Sequence, residues 1–142
     1  MCSPALTSRA MKRFSRLMQV EIRNPIDVVH LTLRGVPIIT VRHLIDAGIP
    51  EQDLLRFVPQ SALNQQQSPQ LLTSKASDRL IRFVKVQALA IEVLGDVTKA
   101  TRWLHRPRRM FDGLSAIDAM QSDMGAQLVA EALGQLDEGY VL

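Results

Sequence analysis

The run SDRLIRFVKVQALAIEVLG, from Ser77 to Gly95, constrains the fold of this chain most. Leu80, Val84, Ala88 and Ile91 recur at three- and four-residue intervals, and Ile81 and Leu94 widen the stripe. That period is helical, and so broad an apolar stripe needs a core to cover it. Asp78 and Arg82 stand one turn apart with opposite charges, which favours the same conformation. A helix is expected from Ser77 or Asp78 to Gly95.

The flanking segments carry helix punctuation of their own. Asn24-Pro25 opens PIDVVHLTLR and Gly35 closes it. The β-branched residues of VVHLTL and VPIITV would also suit a hairpin, but Pro37 disfavours a central strand, so the helix is preferred. PIITVRHLIDAG places Ile38, Val41, Leu44 and Ile45 at helical spacing before Gly48. IPEQDLLRFV has acidic residues in its first turn, an apolar face of Leu54, Leu55 and Val58, and Pro59 as a stop. SALNQQQ reads as a short polar segment with Ser61 as N-cap and Leu63 as its inward anchor, and SPQLLTSKAS as a linker. Asp96 caps VTKATRWLH, which Arg106-Pro107 must stop. Ser115 and Asp118 make a capping-box-like pair. Ser122 caps a last helix with Met124, Leu128, Val129, Leu133 and Leu136 on one face, and Gly139 ends it.

The chain therefore reads all-α, with a helix-turn-helix-like N-terminal half and a small helical C-terminal domain. The expected division is a flexible basic tail over 1–23, a first domain over 24–75 and a second over 76–142. At 142 residues, 46% hydrophobic and 22% charged, the chain has enough apolar material for a globular core.

Composition also narrows the function. Cys2 is the one cysteine, so no disulfide framework exists and a reducing cytoplasm fits. His30, His43 and His105 lack zinc-site spacing, and there is no GxSxG, P-loop or HExxH. Neither catalysis nor a cofactor or metal is expected. No apolar run is long enough to span a membrane, and the cationic N-terminal segment has no apolar core of a signal peptide.

Charge is segregated. Residues 1–76 carry nine cations against five anions, residues 77–110 eight against three, and residues 111–142 none against six. Two binding readings follow. IPEQDLLRFV and SALNQQQ, joined by a tight turn, can present Ser61, Asn64, Gln65, Gln66 and Gln67 to base edges, adenine above all. An exposed polar helix accounts for the same residues. Phosphate contacts must come from outside the segment, from Arg56, Lys75, Arg79 or the N-terminal cations. The second cluster is Lys99, Arg102, Arg106, Arg108 and Arg109, which suits phosphate, an acidic protein face, or simply the negative end of a helix dipole. Trp103 beside it is expected in the core.

From Ser77 onward the sequence resembles a known family. Ser77–Leu80, Gly95-Asp96, Trp103-Leu104 before Pro107, Gly113–Ser115, Gly125-Ala126 and Gly139 follow in the order of the Xre/MbcA/ParS toxin-binding domain. That domain forms the C-terminal half of Xre-type antitoxins of bacterial type II toxin–antitoxin systems. GVPIITVRHLIDAGIPEQDLLRFV is more loosely similar to the family's helix-turn-helix half. There the recognition segment is usually Arg-rich, whereas here it is SALNQQQ. The resemblance implies an antitoxin that binds a cognate toxin, commonly a RES-domain enzyme that consumes NAD, and that can repress its own operon. It implies that the end of the domain covers the toxin's active site, pointing to the last helix and to Gly139, Tyr140, Val141 and Leu142, with Arg102, Arg106, Arg108, Arg109, Gly113, Asp137 and Glu138 as further candidate contacts. A homodimer is expected of a helix-turn-helix reader. The alternative is a stand-alone transcriptional regulator whose C-terminal half dimerises.

Overall fold

The computed structural model describes residues 8–64 and 70–139, and its regular structure is all-α. Nine α-helices run in the order α1 (Ser8–Met18), α2 (Pro25–Arg34), α3 (Ile39–Asp46), α4 (Glu51–Leu54), α5 (Ser61–Asn64), α6 (Ser74–Leu94), α7 (Val97–His105), α8 (Ala116–Ala119) and α9 (Asp123–Asp137) among the described residues. A 3-10 turn, Arg109–Phe111, lies between α7 and α8. The chain divides into two compact units: residues Phe14–Val84 make one, and the residues on either side of that span make the other. The divisions fall inside α1 and inside α6.

The N-terminal segment corrects the expectation of a mobile tail. Residues 8–18 are helical, and Ala10, Phe14, Leu17 and Met18 are buried. Their spacing is that of an amphipathic helix, with Arg9, Lys12, Arg13 and Arg16 occupying other positions. Arg13 Nε donates to Glu92 at 2.8 Å, and Arg9 lies 3.7 Å from Asp137.

In the Phe14–Val84 unit the preference for helix over hairpin at residues 25–34 holds. The Asp27 carboxylate accepts the backbone N–H groups of Arg23 and Asn24 at 2.8 and 3.2 Å, which fastens the start of α2. Gly35 ends it at φ 102°, and a Cβ there would press on the Leu72 carbonyl. The extended residues that follow pair with the segment read as a linker. Ile38 N–H donates to Gln70 O at 2.9 Å and Leu72 N–H to Val36 O at 2.8 Å. IPEQDLLRFV is helical only over α4, after which turns carry the chain to Val58. In α5 the buried anchor is Ala62, while Leu63 is half-buried.

The long helix α6 starts three residues earlier than expected. Thr73 Oγ1 accepts the Ala76 N–H at 3.1 Å at its start. Ser77 is fully buried inside the helix, where its hydroxyl accepts the Val36 N–H at 2.8 Å. Phe83 stacks on Phe57 with centroids 4.4 Å apart.

In the second unit the capping pattern holds. Asp96 accepts from Lys99 N–H at 2.8 Å, Ser115 from Asp118 N–H at 3.2 Å and Ser122 from Gly125 N–H at 3.0 Å. α9 is rolled relative to expectation. Gly125, Ala126, Val129, Ala132 and Leu133 are buried, Leu136 is half-buried, and Met124 and Leu128 are exposed. Backbone proximity at the start of the helix contributes: a Cβ on Gly125 would collide with the Ala119 carbonyl, so Gly125 must face α8 and its neighbour Met124 turns outward.

Candidate functional site

The junction between the basic and acidic parts of the second unit is a tied loop. Arg106 caps α7, and Pro107 then bridges Ser115 in antiparallel fashion. Arg108 N–H donates to Leu114 O at 3.1 Å, and Gly113 N–H to Arg108 O at 2.9 Å. Asp112 at φ 56° and Gly113 at φ 91° turn the chain back.

Within this loop Arg108 differs from its neighbours. Its guanidinium stacks 4.2 Å from the centre of the Trp103 ring and donates to Trp103 O at 3.3 Å. Burial, then the charge of Arg106, pulls its pKa below the usual arginine value. Phe111 meets the other ring edge-on, at 6.5 Å. Trp103 is thus half-buried between an arginine and a phenylalanine, not enclosed in the core as expected. Arg102, Arg106 and Arg109 are exposed. Met110 and Leu114 also face solvent, which their apolar character gave no sign of in sequence.

The acidic end is less uniform than its composition suggests. Asp137 faces Arg9. Glu138 caps α9 and is exposed, and Gly139 follows at φ 90°. Tyr140, Val141 and Leu142 lie outside the described residues, as do Gln65, Gln66 and Gln67 of the proposed base-reading segment.

The other unit holds a cationic cleft of about 320 Å³. Leu55 to Pro59 form one wall, and Thr73, Lys75, Ala76 and Arg79 the other. Arg79 donates to Arg56 O at 2.8 Å, which places its guanidinium across the cleft. Ser61 is exposed on α5, two residues beyond Pro59, and Asn64 closes that helix. Of the residues expected near DNA, Arg56, Lys75 and Arg79 line this cleft.

Among the described residues no cluster of His, Cys, Asp and Glu is suited to a metal ion. No helix there is long and apolar enough to cross a membrane.

Short capped helices, a tied basic-to-acidic loop and a cation-free last helix make up this helical unit. Residues 89–139 match the family described as the antitoxin Xre/MbcA/ParS C-terminal toxin-binding domain. Three curated proteins, each named Antitoxin Xre, are similar. The one from Pseudomonas putida is 41% identical over 73 residues, 51% of this chain and 46% of its own length. The one from Yersinia enterocolitica is 28% identical over 96% of this chain and 94% of its own length. The one from Photorhabdus laumondii is 31% identical over 49% of this chain and 47% of its own length. The matches thus span about half of two of these relatives and nearly all of the third. The C-terminal part of the chain is thus similar to the toxin-binding domain of Xre-type antitoxins.

Proposed function

We propose that this protein is an antitoxin that binds and neutralises a cognate toxin through its C-terminal unit. The observation that carries the reading is a coincidence: the segment matching the toxin-binding domain contains all but the last three residues of the cation-free acidic stretch after Arg109. A toxin that consumes NAD, as RES-domain enzymes do, must bind a phosphate-bearing dinucleotide in a cationic pocket. An acidic chain end suits that pocket. Asp137 to Leu142 enter or cover it, and Gly139, at positive φ, lets the chain turn as it leaves α9. The protein acts by binding, not by catalysis, and does so in the cytoplasm. The test is co-expression with the product of the co-transcribed toxin frame, using the full chain and one lacking residues 137–142. Loss of growth rescue by the shortened chain supports occlusion; full rescue removes it.

A second role in operon repression has its own observation, the cleft carrying Arg56, Lys75 and Arg79 beside α5. Those cations supply the phosphate contacts that SALNQQQ lacks, with Ser61, Asn64 and Gln65 to Gln67 nearer the bases. The DNA-binding species is a homodimer. Ile26, Val29 and Leu33 stand 51, 45 and 71% exposed on one face of α2. Antiparallel packing of that face on a second copy brings Arg34 towards Asp27 of the other chain.

A further inference from the structure

The C-terminal unit carries opposite charges on separate segments. Residues 99–114 hold Lys99, Arg102, Arg106, Arg108 and Arg109 against one acid, Asp112. Residues 115–139 hold Asp118, Asp123, Glu131, Asp137 and Glu138 and no cation. Lys99, Arg102, Arg106 and Arg109 are exposed and make no ion pair among the described residues. Glu131 and Glu138 are exposed and equally unpaired there, whereas Asp137 faces Arg9.

Each charged surface also shows an apolar pair. Met110 and Leu114 are 43% and 51% exposed in the basic loop, where the Arg108 N–H holds the Leu114 carbonyl at 3.1 Å. Met124 and Leu128 are 63% and 48% exposed on α9, seven and three residues before Glu131 and so on its face of the helix. The dipole of α7 accounts for cations at its end, and solvent for acids on α9. Neither accounts for the apolar side chains beside them. Both surfaces lie in one compact unit, yet no ion pair among the described residues joins them within the chain. Basic and apolar on one side, acidic and apolar on the other, they are complementary to each other.

We infer that a second copy of this chain docks here, the basic loop of one copy on the α9 face of the other. Made reciprocally by two copies the contact closes a dimer, and made in one direction it grows a chain. It is separate from the pairing through α2, which belongs to the other unit, and it needs no toxin. Four apolar side chains and a few charges fall short of a standard interface of about 1,600 Å². The association is therefore weak, guided by charge and strongest at low salt. Any partner that covers the α9 face competes with it.

The test is sedimentation of the full chain over a range of concentrations at about 0.1 M and about 1 M salt, between which the Debye length shrinks from about 10 Å to about 3 Å. The mean molar mass should rise with concentration at the lower salt and fall at the higher. Arg102→Glu with Arg106→Glu and Arg109→Glu, and separately Glu131→Lys with Glu138→Lys, should each weaken self-association at least about tenfold. An equimolar mixture of the two variants should recover the mass, because each keeps the face that the other has lost. Thermal midpoints should stay close to wild type, since all five positions are exposed. Arg106→Gln with Arg109→Gln and Glu131→Gln with Glu138→Gln serve if the reversals disturb folding, and each should remove most of the salt dependence. A wild-type mass independent of concentration and salt overturns the contact. So does association that both variants retain, or a loss in both that mixing does not recover. Pairing through α2 is common to every sample and cannot produce these differences.

Discussion

Ser77 shows what a single hydroxyl does here. It lies inside α6, fully buried, and takes the Val36 N–H across 41 residues of sequence. Ser77→Ala leaves that donor buried without a partner, at a cost of about 1–3 kcal/mol. The expected outcome is a lower urea midpoint with an unchanged slope. Asp27 gives a pH-dependent counterpart. The N–H groups of Arg23 and Asn24 hold its carboxyl below the ordinary carboxylate range, and the nearby charges of His30 and Arg23 add to this. Its folded pKa is therefore below the unfolded value of about 3.9, so its contribution is present above that pH and is lost as pH falls through the folded value. Asp27→Asn should flatten this part of the acid limb in urea titrations from about pH 5 to about pH 2. An unchanged limb would mean the carboxylate does not hold α2. Residues whose task is local were legible in the sequence: Asp96, Ser115 and Ser122 cap the helices expected of them, because a cap bonds three residues along the chain. Ser77 was read only as the start of the long helix because its true partner is far away, and Trp103 was read as core because stacking on Arg108 is no property of spacing.

The helices divide along the same physical line. Period and punctuation placed α2, α7 and α9, since each carries its own start and stop. α1 was missed because its cations suggested a tail, although Ala10, Phe14, Leu17 and Met18 follow a helical period. Phe14→Ala separates the two views. A tail would leave the melting curve unchanged, whereas truncating this fully buried phenylalanine should cost about 3–5 kcal/mol. The roll of α9 was illegible for another reason. Hydrophobicity alone favours Met124 and Leu128 inside, but at the start of α9 the Ala119 carbonyl lies so close that Gly125 must face it. Gly125→Ala should accordingly destabilise the unit by about 1–3 kcal/mol, by overpacking. A wild-type melting temperature for that variant would show that α8 and α9 can separate at no cost.

Over the whole chain, the charge balance says that two surfaces exist and the fold assigns them to different compact units. The cationic cleft belongs to Phe14–Val84, and the cation-free acidic stretch after Arg109 to the other unit. The charge segregation was legible in composition. The cleft was not, because Arg56 meets Lys75 and Arg79 only after the chain has folded back. Substitutions in separate units that share no partner should act independently. Lys75→Ala removes an exposed cation from the cleft without touching the core. If that cleft holds a phosphate, operator affinity should fall by a similar factor for every sequence tested. The slope of log affinity against log salt should shrink by about one, the counterion released per contact. Toxin affinity should not move. The measurement is a pair of titrations on the same preparation, operator DNA at several salt concentrations and toxin at one. A changed toxin affinity would show that one surface serves both partners, and an unchanged salt slope would place the phosphates elsewhere on the chain.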